Sequence, residues 1–252
     1  LVAVGPRLHN RFRTELSGTG APPPLRLDPG FDMVDTSPRT PPQGHPAKIL
    51  FIGRIEDAAL KGVDLAARAC GLVCRRRERH KLPPIELVVR GAPAGTADEQ
   101  RERIREWAAN PKLGVVVRPY SADEERLDAD LERASLVIMP SRSEGFGLVA
   151  AEAIATGVPT LVSENSGLAE LLQEVLDNES AARMIVPMSG VDDEDAESWA
   201  WAIETVMYDV PAAFARAEQV RATLSEKVTW ADAAATLLNE VAGARASRRG
   251  RA

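Results

Sequence analysis

Short uninterrupted apolar runs recur along this chain, and between them lie segments whose apolar positions fall three and four residues apart. The runs at Ile49–Ile52, Glu86–Val89, Val115–Val117, Leu136–Met139, Thr160–Val162 and Met184–Val186 have the length of strands and little polar alternation. The intervening segments, around residues 62–80, 97–109, 123–133, 147–156 and 167–176, carry the helical period. Strands that are apolar on both sides and alternate with helices predict an α/β fold, a Rossmann-like doubly wound parallel sheet with helices on both faces.

Outside this regular stretch the pattern is looser. Leu1–Gly5 reads as a short strand and Arg7–Leu16 as a short helix, followed by a Pro- and Gly-rich linker over residues 17–47. After Pro187 an acidic loop, Asp192–Asp195, leads into three helical segments. Pro211 separates the first two and Trp230 opens the last. The basic, small-residue tail from Arg245 to Ala252 is predicted to fray. No internal repeat is visible.

Ligands of such sheets bind outside the C-terminal ends of the strands. Arg54, Arg90, Arg118, Ser141 and Ser163 all fall just past strand ends. The most informative stretch, Pro140–Ala153, also begins there. It opens a loop flanked by glycines and then a helix. Two carboxylates eight positions apart, Glu144 and Glu152, bracket the backbone amides from Gly145 to Val149. Amides at a helix start lack partners and carry partial positive charge, which suits a phosphate. Glu152 lies one turn beyond Leu148, on the same face, within reach of the hydroxyls of an attached sugar. Arg54 and Lys61, placed after a strand and before a helix, are the cationic candidates for such a phosphate, one as a planar fork and one as a point charge. A plainer reading makes Glu144 a helix cap, Glu152 a solvated helix face, and the two cations surface residues beside Glu56 and Asp57.

Composition narrows the classes. With 252 residues, 44% hydrophobic and 27% charged, the chain has ample material for one large core. A net charge of −6 argues against general nucleic-acid affinity. No apolar run approaches the length of a transmembrane segment. Two cysteines, Cys70 and Cys74, fit a reducing, cytoplasmic compartment. They lie four apart on one helix face, and with His80 they offer too few ligands for a structural metal, so small buried hydrophobes are the simpler reading. The run Arg75–Lys81 reads as a solvated helix end at that helix's negative pole.

The Glu-x7-Glu segment resembles the motif of retaining glycosyltransferases of the GT-B fold, in particular group 1 (family 4). Further elements resemble that family in order. They are Phe51-Ile52-Gly53-Arg54 followed by Lys61-Gly62-Val63-Asp64, then Val158-Pro159-Thr160 and Ser166–Glu170. Near the ends lie Pro29-Gly30-Phe31-Asp32, like an interdomain Asn-Gly-Val-Asp, and Val228-Thr229-Trp230, like a terminal helix signature. The resemblance implies one half of a GT-B fold. Residues 1–47 would be the end of a preceding domain and the interdomain linker, 48–244 the nucleotide-sugar-binding domain, and 245–252 the frayed tail. Starting at Leu1, the chain is expected to be a piece of a longer polypeptide that also supplies the N-terminal acceptor domain.

For the site, the resemblance implies that Glu144, Arg54 and Lys61 serve the transfer itself. Arg54 and Lys61 would hold the donor diphosphate, Glu144 the transferred sugar and Glu152 the ribose. Gly53, Arg118, Tyr120, Gly145, Phe146, Gly147 and Leu148 would complete the nucleotide-sugar contacts. It implies a nucleotide-diphosphate sugar as donor, no required cofactor and no metal. The other function considered is a nucleotide-sugar-binding regulatory module or pseudoenzyme fused to other domains. An NAD-dependent oxidoreductase is disfavoured, because the first strand of the sheet runs on as Gly53-Arg54-Ile55-Glu56 without G-x-G-x-x-G.

Overall fold

The computed structural model describes residues 1–32 and 37–249, with side chains to residue 242. Its central sheet has six strands: β3 (Ala47–Ile52), β4 (Ile85–Ala92), β5 (Gly114–Pro119), β6 (Leu136–Met139), β7 (Thr160–Ser163) and β8 (Ile185–Val186). The spatial order is β5-β4-β3-β6-β7-β8, and every pairing is parallel. The chain therefore builds outward from β3 in one direction, then returns to β3 and builds outward in the other. This reversal opens a crevice between the C-terminal ends of β3 and β6, the position where doubly wound sheets bind ligands.

Alternation along the strands explains the two covered faces. Ile49 and Phe51 of β3, with Leu87 and Val89 of β4, join a core formed with α3 (Val63–Arg79), α4 (Ala97–Ala108) and α9 (Asp192–Tyr208). Leu50 and Val88, one residue out of step, point to the opposite face. There they meet Leu131 of α5 (Glu124–Arg133) and Ala153 of α6 (Leu148–Ala155). A third cluster packs α6, α7 (Gly167–Val175) and α10 (Val210–Lys227) around Phe31. Trp199 of α9 is completely buried, and its indole N–H donates to the Met188 sulfur at 3.3 Å. Cys70 and Cys74 pack in the first core, where burial and then the neighbouring Cys74 hold the Cys70 thiol far above its ordinary pKa.

Outside the sheet, β1 (Val2–Val4) pairs in parallel with β2 (Leu25–Leu27), and α1 (Gly5–Glu15) connects them. The supposed linker over 17–47 thus contains a strand. It is only three residues long, and its pairing partner, not its own pattern, makes it one. The Phe31 amide donates to the Val228 carbonyl at 2.9 Å, and Asp32 Oδ1 accepts from the Trp230 amide at 2.7 Å. The two outlying signatures therefore meet at the start of α11 (Trp230–Arg249).

Two further expectations are corrected. Residues Asp192–Asp195 form the first turn of α9 instead of a loop. Their charges suit that positive pole, and Asp195 accepts from the amides of Ser189 and Gly190. A seven-residue helix, α8 (Asn178–Met184), was not expected, and it takes Met184 from the predicted last strand. The tail from Arg245 is helical as far as Arg249, and its last three positions lie outside the described residues. Among the described residues, no helix is long and apolar enough to cross a membrane.

Candidate functional site

The crevice is built from the segments that follow β3 and β6. After β3 the chain makes a 3-10 turn, Ile55–Asp57, and a one-turn helix, α2 (Ala58–Lys61). The stretch between Arg54 and Lys61, long for a simple loop, is thus filled by helical turns. Gly62 ends α2 in the left-handed region at φ +74°, its amide bonded to the Ala58 carbonyl at 2.8 Å. A Cβ at Gly62 would stand 2.0 Å from the Pro140 carbonyl oxygen, so the segment after β3 rests directly on the segment after β6.

That contact brings Lys61 and Glu144 together across 83 positions of sequence. Lys61 Nζ lies 2.6 Å from Glu144 Oε2, and both side chains are largely shielded from solvent. Ser141 Oγ, completely buried at the end of β6, donates more weakly to the same oxygen at 3.4 Å. The Glu144 backbone is fixed from the other side. Its amide donates to the Asn165 carbonyl at 2.9 Å, and its carbonyl accepts from the Gly167 amide at 3.3 Å. Leu168 N–H donates to the Phe146 carbonyl at 2.8 Å. The loop after β6 is therefore laced to the start of α7, which Ser166 caps by accepting from the Ala169 amide at 3.1 Å.

Among the described residues, the amides of Gly145, Phe146, Gly147, Leu148 and Val149 find no acceptor, whereas those of Ala150 and Ala151 bond to the Gly147 carbonyl. Five consecutive donors at the opening of α6, directly after the Glu144 that pairs with Lys61, form an environment for anionic oxygens. Leu148 is exposed and Phe146 buried. Glu152 stands exposed on α6. Partial desolvation, then the facing carboxylates Asp128 and Glu124 of α5, raise its pKa above the usual glutamate range.

The remaining predicted residues are distributed as follows. Arg54 is exposed and pairs with Asp57 at 3.3 Å, apart from the Lys61–Glu144 contact. The Gly53 amide is engaged by the Arg90 carbonyl at 3.0 Å. Arg118 and Arg90 both pair with the fully buried carboxylate of Asp130, and Arg90 also donates to the Pro119 carbonyl at 3.0 Å. The Tyr120 ring is exposed beside this cluster, its amide bonded to the Ala92 carbonyl at 2.8 Å. Asp130 escaped the sequence reading, since a lone aspartate on an amphipathic helix gives no sign that it will meet two strand-end arginines.

Arg142 was missed as well. Its guanidinium grips Asp64 with both terminal nitrogens, at 2.9 and 2.8 Å, and donates to Asp192 at 2.7 Å and to the Ala59 carbonyl at 3.1 Å.

A six-stranded parallel sheet of this order, with its crevice at the reversal, is the Rossmann-like arrangement common to many nucleotide-binding folds, the GT-B glycosyltransferases among them. Solved structures share it. Sucrose-phosphate synthase from Thermosynechococcus elongatus superposes with a TM-score of 0.71 at 20% identity, over 98% of this chain and 58% of that one. The C-terminal domain of a group 1 glycosyl transferase from Francisella tularensis gives 0.57 at 18% identity, over 79% of this chain and 100% of that domain. More specifically, residues 1–237 match the family described as family 4 glycosyltransferases in conflict systems, and this chain belongs to that family. Similar curated proteins include the D-inositol 3-phosphate glycosyltransferases of Mycolicibacterium smegmatis and Corynebacterium urealyticum. The first is 31% identical over 207 residues, 81% of this chain and 42% of that protein. The second is 31% identical over 176 residues, 68% of this chain and 38% of that protein. The chain thus spans about two fifths of the length of these relatives.

Proposed function

We propose that this chain is the donor-binding half of a retaining glycosyltransferase that uses a nucleotide-diphosphate sugar. Its acceptor domain would be supplied by the same polypeptide, working in the cytoplasm without a required cofactor. The observation that carries this reading is the meeting of Lys61 and Glu144 at 2.6 Å beside five unpartnered amides at the sheet's reversal point. Transfer breaks the bond between the sugar's anomeric carbon and the diphosphate oxygen and places negative charge on that oxygen. Lys61 and the α6 amides supply positive charge there, and Arg54 reaches in from the solvent side once it leaves Asp57. In the same-face displacement that this reading adopts, the departing phosphate oxygen takes the acceptor hydroxyl's proton as the new glycosidic bond forms. Glu144 then orients sugar hydroxyls and is not a nucleophile. Glu152 accepts from the ribose hydroxyls, and the segment Arg118–Tyr120 flanks the base.

A thermal-shift panel of UDP, GDP, ADP and their common sugar conjugates, on the wild type and on Lys61→Ala and Arg54→Ala, tests this. Ligand at a hundredfold above its dissociation constant adds about 2.7 kcal/mol of stability. The reading expects a shift with one nucleotide class that shrinks in both variants. No shift with any nucleotide would remove it for this chain.

A further inference from the structure

We infer that Arg142 is a positioning residue that holds Lys61 against Glu144, so that the two halves of the crevice are assembled before any ligand arrives. This inference rests on the donor-site reading for its functional consequence but on geometry for its substance. Arg142 lies two residues before Glu144, and its amide donates to the carbonyl of Leu60, the residue before Lys61, at 2.9 Å. Its guanidinium reaches across the same seam. One terminal nitrogen donates to the Ala59 carbonyl at 3.1 Å and to Asp64 Oδ1 at 2.9 Å. The other donates to Asp64 Oδ2 at 2.8 Å and to Asp192 Oδ1 at 2.7 Å. One side chain thus bonds the body of α2, which carries Lys61, the first turn of α3 and the first turn of α9.

Those contacts leave the segment after β3 little freedom to slide. Lys61 alone is a flexible stem with a single ion pair. Fastened at Ala59, Leu60 and Asp64, the turn that bears it returns its ammonium to the same place. The acidic first turn of α9 anchors the clamp in turn. Asp192 also faces Arg68 at 4.0 Å, and Asp193 accepts from Arg68 at 3.3 Å. A lysine in place of Arg142 could not contact Asp64, Asp192 and the Ala59 carbonyl together, because the fork spreads its donors in a plane that a point charge lacks.

Two measurements test the inference, one without ligand. The first is the acetylation rate of Lys61 relative to the exposed Lys112, read peptide by peptide by mass spectrometry on the whole chain. In Arg142→Met, folded by circular dichroism, the ratio should rise by about fivefold, the scale set by loss of one partly shielded ion pair. An unchanged ratio overturns the inference. Should Arg142→Met fail to fold, Asp192→Ala, which removes the outer anchor and the 4.0 Å approach of Arg68, should raise the ratio in the same direction, and no rise overturns the inference equally. The second is a double-mutant cycle on nucleoside diphosphate binding. Arg142→Met should lower affinity by about tenfold in the wild type but by less than about twofold in Lys61→Ala. Equal losses in both backgrounds would make Arg142 merely structural. If the wild type binds no nucleotide, the donor-site reading has failed, while the acetylation ratio still decides whether Arg142 positions Lys61.

Discussion

Adding one methyl group at Gly62 tests how closely the two halves of the crevice are fitted. Gly62→Ala has two separable costs. The residue sits at φ +74° and ψ +29°, a left-handed conformation that costs an alanine roughly 1–2 kcal/mol. The new carbon would also stand 2.0 Å from the Pro140 carbonyl oxygen and 2.8 Å from its carbon, both distances closer than real Cβ atoms approach. Relief needs movement of about 1 Å between backbone segments, which adds roughly 1–3 kcal/mol. Gly95→Ala isolates the first cost, because Gly95 has φ +81° and no neighbour within 4 Å of the added carbon. Both changes restrict the unfolded chain alike, so their difference belongs to the folded state. At about 2–4 °C per kcal/mol for a chain of this size, Gly95→Ala should lower Tm by a few degrees and Gly62→Ala by roughly 5–15 °C. Differential scanning calorimetry reads both values. The displacement falls between Lys61 and Glu144, so nucleotide affinity, measured by titration calorimetry below the lowered Tm, should weaken in Gly62→Ala alone. If the two variants melt within about one degree of each other, the close seating of Gly62 on Pro140 is wrong.

Other expectations follow from the same site. Glu152→Ala should weaken binding of a nucleoside diphosphate and of its sugar conjugate alike, whereas Glu144→Ala should weaken mainly the conjugate; equal losses in Glu144→Ala, by calorimetry, would detach that residue from the sugar. Because Glu152 has a folded pKa above its unfolded value, the folded state holds its proton more tightly, and the ionised carboxylate costs stability that returns as pH falls through that pKa. Asp128→Asn should therefore stabilise the chain at pH 7.5 by a few tenths of a kcal/mol, reduced by solvent screening, with the gain fading under acidic conditions where Glu152 is protonated; urea unfolding at the two pH values reads this. Cys70, fully buried with its thiol pKa pushed up, should resist alkylation in the native chain at pH 8 and react promptly in denaturant, as a timed mass-spectrometric assay would show.

The sheet was legible because its strands are covered on both faces, which leaves runs such as Leu136–Met139 free of polar residues. The loop carrying Glu144 was legible because its glycines and its place after such a run have few other uses. The short elements were not. Leu25–Leu27 becomes a strand only through Val2–Val4, and Asn178–Met184 is too short to show a period. The latter did carry a local sign, Asp177, whose side chain accepts from the amides of Glu179 and Ser180. Long-range partnerships were the least visible. Arg142 binds residues 83, 78 and 50 positions away, and no local pattern ties an arginine to three such partners. The acidic stretch from Asp192 was visible as charge, but its use by Arg142 and Arg68 depends on where α9 comes to rest.

Gly5, at the start of α1, gives the first thirty residues a hold on the chemistry of the rest. A Cβ there would lie 2.4 Å from the ring of Phe146, in the middle of the unpartnered amides, and Leu8 of the same helix covers Gly145. Positions 5 and 146 therefore cannot drift independently over evolution. A side chain gained at one has to be matched by a smaller one at the other, and the two should covary among homologues as a glycine–aromatic pair. The same constraint governs domain grafting: a foreign leading segment fused to this sheet must bring a glycine to that spot, or it will push the loop that follows Glu144 out of shape.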